Sequence, residues 1–336
     1  MTEVKSIFEK LDNYLVEKPK PLIGAETVQI FLIREVLDYL VLRTEEDRQL
    51  NTVVAPLSIS NSIPTRRVAF LATKQKASES RELEHLLRSA LKDNTLYHLK
   101  GKSLVSKIEK SDNPLECYLK DNLCMECPRC GLYGATSTVS GQAERANIKH
   151  RIEYSTAFSL MPFEDVSSAI TFNAIDDKSI MTGQALGSRY AVAPATLFPS
   201  IITLKSITRE ELILTIKTIL SCKSYGAESR IGGDVRNHVI GVVAAWEEVI
   251  TSLEFALELY DKLNALNMAT VNELIIGKDG NSGKYKNMAG NPDKIIVFNE
   301  NEVNSLVKEC VDTKLDQNFM EKAYKDIEDY RKIQLS

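Results

Sequence analysis

A chain of 336 residues, 43% apolar and 26% charged, has the composition of a soluble globular protein. It can bury a large core, as one domain with insertions or as two. The net charge of −4, from 42 basic and 46 acidic residues, excludes a uniformly basic nucleic-acid binder, but the charge is uneven: residues 66–110 carry +6 and residues 300–336 carry −3. Opposite patches fit a polyanion held on one face and copies stacking head to tail, or simply solvated helix faces.

No apolar run approaches the ~20 residues of a membrane span. The N-terminal segment MTEVKSIFEKLDNYLVEK is charged throughout and has no signal-peptide core, so the cytoplasm is the expected location and no membrane partner is expected.

Residues 1–20 read as a short helix ending near Pro19 and Pro21. The apolar, β-branched run from Thr27 to Leu42 predicts a long buried strand, with a helix as competitor. Asn51 to Pro64 is loop or short edge strand, and Arg67–Thr73 a strand. Ser78–Leu91 is an amphipathic helix that Ser78 or Ser80 can cap, with Leu83, Leu86, Leu87, Ala90 and Leu91 along one face. Asp93 to Lys110 predicts a turn, then Gly101-Lys102-Ser103, then a second helix. It is no P-loop, because Leu96 stands where that motif needs glycine.

Four cysteines then fall within fourteen residues: Cys117, Cys124, Cys127 and Cys130. Thiolates this close suit a structural zinc ion, whose tetrahedral shell takes four sulfurs, and a reducing compartment favours metal over disulfides. An iron–sulfur cluster fits less well, because the fourth cysteine of that run is absent downstream. An unmetallated knot, or a set with His98 or His150 in place of Cys117, stays open. Cys222 and Cys310 stand alone and read as plain apolar residues.

Beyond a polar excursion over residues 135–151, three short strands are expected at 152–160, 169–173 and 200–204. A helix follows over 209–220. The segment KSYGAESRIGGDVRNH, residues 223–238, resembles a basic hairpin. In it Lys223, Arg230, Arg236 and His238 stand among glycines that permit close approach to a phosphate, and Tyr225 offers a stacking face. An ordinary charged hairpin is the competing interpretation. A buried strand at 238–245, a helix over Trp246–Asn267, a mobile loop at 277–292 and one or two terminal helices over 300–333 complete the chain. Strands interleaved with helices indicate an α+β fold. Catalysis is poorly signalled: the four histidines show no ligand spacing, and Asp93 is a lone turn aspartate.

The succession CPRCGLYG, YSTAFSL at 154–160, TFNA at 171–174 and SYGAESRIGGDVRNHVIGVV at 224–243 resembles the backbone subunit of type I-D CRISPR surveillance complexes, within the RAMP superfamily. The resemblance implies an RRM-like (ferredoxin-like) core, discontinuous over 22–110 and 150–267. A zinc-bearing insertion would span 111–149, with a loop and helical region over 268–336. It implies copies stacked in a filament along one crRNA, pairing with target DNA (target RNA being the alternative), beside other subunits of the complex. Sequence would be read by base pairing, so the protein needs only shape and phosphate contacts.

Carried onto this chain, the RNA contacts are Tyr225, Ser229, Arg230, Arg236, Asn237 and His238; Lys223 joins them from the basic segment itself, and Lys100, Lys102 and Ser103 from the Gly-Lys-Ser segment. Related type III subunits cut RNA with a loop aspartate and a divalent ion. Asp93 lies where such a residue would, which leaves Mg²⁺- or Mn²⁺-dependent cleavage as an alternative. A zinc-binding structural protein without nucleic acid is the alternative outside the family.

Overall fold

The computed structural model describes residues 6–43, 49–94, 117, 123–136, 147–175, 182–226, 233–262 and 268–336. In chain order its elements are β1 (Thr27–Val36), β2 (Thr52–Pro56), β3 (Pro64–Phe70), α1 (Ala72–Asp93), α2 (Pro128–Tyr133), β4 (Ile152–Tyr154), β5 (Ala157–Phe158), α3 (Phe163–Val166), β6 (Ser167–Ile175) and β7 (Thr182–Val192). There follow β8 (Leu197–Lys205), α4 (Arg209–Ser221), β9 (Val235–Ala245), α5 (Ser252–Tyr260), α6 (Met268–Ile276), α7 (Lys284–Met288), β10 (Ile296–Val297), α8 (Glu300–Asp312) and α9 (Gln317–Leu335).

The main sheet runs β10-β9-β1-β8-β4, every pair antiparallel. With the edge strand β10 set aside, β1, β4, β8 and β9 are the first to fourth core strands. Their spatial order is fourth-first-third-second, with α1 and α4 as the two crossover helices. That is the βαββαβ pattern of a ferredoxin-like core, and the chain is α+β as expected.

β1 is buried along almost its whole length, which is why its sequence reads as a continuous apolar run rather than an alternation. One sheet face packs α1, α4, α8 and the start of α9 around Ile30, Leu32, Leu212 and Leu306. The other face packs α5 to α7 around Phe31, Ile201, Phe255 and Tyr285, with Phe31 and Phe255 edge-to-face at 5.0 Å. A second sheet, β2-β3-β5, and the β6-β7 ribbon complete the strands. No helix among the described residues is long and apolar enough to cross a membrane.

Several elements differ from the sequence expectation for local reasons. Residues 6–20 form only a 3-10 turn, Ile7–Leu11, which buries Phe8 and Leu11. Helix α1 starts at Ala72, so Ser78 and Ser80 are buried in its body and cap nothing. The helix expected from Trp246 begins at Ser252, behind a Thr251/Glu254 capping box. Before it, Gln29 grips the main chain: its Oε1 accepts from the N–H of Val249 (2.9 Å) and Ile250 (3.3 Å), and its Nε2 donates to the Ile250 carbonyl (3.0 Å). Those bonds keep residues 249–250 out of the helix, and Trp246 stays 41% exposed under Lys294.

The expected mobile loop at 277–292 instead contains α7, whose Tyr285 is buried with its hydroxyl on Glu258. The second helix expected before Lys110 and most of the polar excursion lie outside the described residues.

Candidate metal centre and nucleic-acid interface

The cysteine cluster is built on a tight turn and the short helix α2. Met125 adopts φ 60°, which folds the chain back so that Cys124 and Cys127 face the same point. Cys127 caps α2 by accepting the Cys130 N–H on its sulfur at 3.4 Å. The Cys124 and Glu126 N–H groups point at the sulfurs of Cys117 and Cys124, each at 3.5 Å. Sγ separations are 3.4 Å for Cys117–Cys130, 3.7 Å for Cys117–Cys127 and 4.0 Å for Cys124–Cys130. All four sulfurs lie within 4.8 Å of one another. A tetrahedral zinc with ~2.3 Å bonds sets its sulfurs roughly 3.8 Å apart, so the set fits such an ion with little adjustment. Cys117 is in the set, and His150 is not part of it; His98 lies outside the described residues.

The electrostatics agree. Hydrogen bonds from the other thiols, Cys117 first, hold Cys130 well below the usual thiol pKa, while bonding to Cys117 first pushes Cys124 and Cys127 well above it. Four sulfurs this close suit a cation that takes them as thiolates. Arg129, 4% exposed beside them, donates to Ser80 and sits 3.4 Å from Glu84. Burial works against its charge, but the neighbouring sulfurs and Glu84 outweigh it and the net shift is upward. Tyr330 and Met125 close the apolar side.

The 223–238 segment resolves into two layers. Its base is a paired ribbon: the Tyr225 N–H donates to the Gly233 carbonyl (3.1 Å) and the Val235 N–H to the Lys223 carbonyl (2.8 Å), with Ser224 opposite Asp234. Gly226 and Gly233 hold φ of +92° and +100°. A Cβ on Gly233 would stand 2.5 Å from the Tyr225 carbonyl oxygen. Gly233→Ala is therefore expected to cost on the order of 2 kcal/mol in a urea midpoint, since the strained φ and the clash add.

From Val235 onward β9 alternates. Arg236 and His238 are exposed on one face, and Val235, Asn237 and Val239 are buried on the other. His238 Nε2 is 2.9 Å from Glu35 Oε2, and Arg236 lies 3.7 Å from the same oxygen. These pairs are solvated and weak, so the cations can exchange Glu35 for another anion. Both cations sit within the first four residues of β9, next to the hairpin base.

Two of the expected RNA contacts are not at the surface. Tyr225 is 1% exposed, edge-to-face on Phe70 at 5.4 Å, and Asn237 is 5% exposed. They belong to a buried network around Arg34 and Glu79. Arg34 donates to Glu79 Oε1 (2.6 Å), the Tyr225 hydroxyl (3.1 Å), Asn237 Oδ1 (2.9 Å) and Ser200 (3.0 Å). Tyr225 donates to Glu79 Oε1 at 2.8 Å and Tyr154 to Glu79 Oε2 at 2.6 Å. Asn237 Nδ2 donates to the Ile219 and Cys222 carbonyls and to Tyr225.

Burial opposes the Arg34 charge, but Glu79 outweighs it and the guanidinium pKa rises. Burial, then the Glu79 charge, holds Tyr154 and Tyr225 well above the usual phenol range and pushes Cys222 up to about 12. The tyrosine and asparagine of the motif are thus its scaffold. The clue in the sequence was Arg34 itself, a charge inside the apolar run of β1.

Lys223 is exposed at the hairpin base. Lys100, Lys102, Ser103, Ser229 and Arg230 lie outside the described residues. Asp93 is the exposed last residue of α1, followed by Asn94, whose side chain caps Ala90 and reaches the Leu315 carbonyl.

The family model described as Csc2 Crispr matches residues 11–324. This chain belongs to the Csc2 CRISPR family. Csc2 of Thermofilum pendens has a similar crystal structure, at 20% identity and TM-score 0.56, covering 97% of this chain and 98% of that one. Lower similarity extends to a chain of a CRISPR RNA-guided surveillance complex in a pre-nicking state (11% identity, 65% and 75% covered, TM-score 0.43). Another is a chain of a type IV-B CRISPR complex (13% identity, 62% and 89% covered, TM-score 0.40). No curated protein matches. Within the Csc2 family member described here, then, a four-cysteine centre and an exposed Arg236–His238 edge stand on one ferredoxin-like core.

Proposed function

We propose that this chain is a crRNA-lining, non-catalytic backbone subunit of a type I-D CRISPR surveillance complex. Copies bind side by side along the guide and hold it for pairing with target DNA, next to the other subunits. The observation that carries this reading is the family match over residues 11–324. The geometry supports it: helices cover both faces of the main sheet, and the cations that can reach a backbone phosphate stand at the start of β9, next to the hairpin base. Phosphate contacts there position RNA without reading it. The cysteine set is assigned one structural zinc that braces the insertion over 111–149.

The test is filter binding of guide-length single-stranded RNA across a salt series. Arg230→Ala combined with Arg236→Ala is expected to raise the dissociation constant at least about tenfold and to flatten the salt slope by roughly 1.4, two phosphate contacts' worth. Unchanged affinity in that variant, or no binding by the wild type, would sink the proposal. Purified protein free of nucleic acid but holding one zinc would favour a purely structural zinc protein.

A further inference from the structure

Directed hydrogen bonds run from Tyr133, at the end of the cysteine-bearing helix α2, to Tyr225 in the hairpin base. The direction follows from counting protons. Each tyrosine hydroxyl has one proton to donate and two lone pairs. Tyr225 gives its proton to Glu79 and accepts from Arg34 and Asn237. Tyr154 gives its proton to the other Glu79 oxygen. The 3.0 Å contact between the Tyr133 and Tyr154 hydroxyls then has Tyr133 as donor. Tyr133 is the last residue of α2, the helix that Cys127 caps and that contains Cys130. Glu79 and Ser80 are neighbours on α1, and Ser80 accepts from Arg129 of the same α2. One turn of α1 therefore meets the cysteine helix on one side and the hairpin base on the other.

We infer that Glu79 is a positioning residue for the RNA grip: it fixes Tyr225 and Asn237, and with them the start of β9 that carries Arg236 and His238, in the arrangement that the cysteine-anchored helix supports through Tyr133 and Tyr154. This rests on the RNA-binding reading above. An apolar residue in place of Glu79 would fill the space but would not choose among rotations of the hairpin base. A carboxylate with three donors at fixed angles does, because any other arrangement leaves a buried charge unpaired. The network acts on RNA only through the strand it holds, since none of its members is needed at the surface.

The test uses the full chain with Tyr154→Phe, which removes one hydroxyl and leaves the ring. Tyr14→Phe, a phenol in the core outside the network, is the control. Amide exchange over residues 222–226 and 233–239 is expected to speed up about tenfold in Tyr154→Phe, with α8 unchanged and the control like wild type. Affinity for guide-length single-stranded RNA should fall five- to tenfold with the salt slope unchanged, because no phosphate contact is lost. Unchanged exchange at the hairpin base overturns the inference whether or not RNA binds, and so does faster exchange with undiminished RNA affinity. Wild-type protein that binds no RNA at all fails the RNA reading, and the exchange comparison then still decides whether the network holds the hairpin base.

Discussion

Cys130→Ser is expected to lower stability by about 3 kcal/mol, near a quarter of the binding free energy typical of a structural zinc site, and to shift the melting temperature by roughly 6 °C. Cys130 is fully buried, and its sulfur contacts those of Cys117 and Cys124. Serine is a poor ligand for a soft-sulfur shell, so the three remaining cysteines would hold the proposed zinc only weakly. Failure should start locally. Gly131 lies against Ile327 and Tyr330 closes the cluster, so α9 loosens with α2 while the main sheet persists. If the proposed zinc is bound, a strong chelator should reproduce the wild-type-to-mutant difference in calorimetry and should have no further effect on the Cys130→Ser protein. RNA affinity should fall as a consequence of this loosening. A Cys130→Ser protein as stable as wild type, and indifferent to chelator, would remove the metal from the account.

Glu79→Ala should cost more, about 3–5 kcal/mol in a denaturant midpoint, because Arg34 is 0% exposed and would be left as an uncompensated buried cation. The size of the loss does not measure what the pair contributes. Arg34→Met together with Glu79→Leu should recover part of it, since two matched apolar side chains avoid the desolvation of both charges. Recovery stays incomplete while Tyr154, Tyr225 and Asn237 keep unpaired polar atoms, and adding Tyr154→Phe should regain a further portion. A double variant as unstable as Glu79→Ala alone would show that geometry, rather than stranded charge, sets the cost. Full recovery would show the opposite.

Much of the fold was legible. The helix over 209–220 and the strand at 238–245 announce themselves by residue pattern, the β1 run reads as a strand with a helix as competitor, and the spacing of the cysteines marks a metal site while leaving the place of Cys117 open to a histidine. Residues whose partners are distant in sequence were not legible. Helix α5 starts late because Gln29, more than two hundred residues earlier, occupies the backbone ahead of it. Tyr225 looked like a stacking platform because a glycine-rich basic segment is normally exposed. Nothing local says that Phe70 and Glu79 take its ring and its hydroxyl inside.

The sequence by itself determined the α+β class, the family through its ordered motifs, and the chemistry available: soft sulfur ligands in one cluster, and cations among glycines in another. Those depend on residue type and short spacing, which the chain states directly. Only the tertiary structure decided which motif residues face water. Alternation along β9 turns Arg236 and His238 outward and Asn237 inward, and the register of β9 on β1 sets that phase. It also decided that Arg34 and Glu79, 45 residues apart, meet in the core. A buried charge is tolerated only where a partner arrives from elsewhere in the fold, and that arrival is a property of packing.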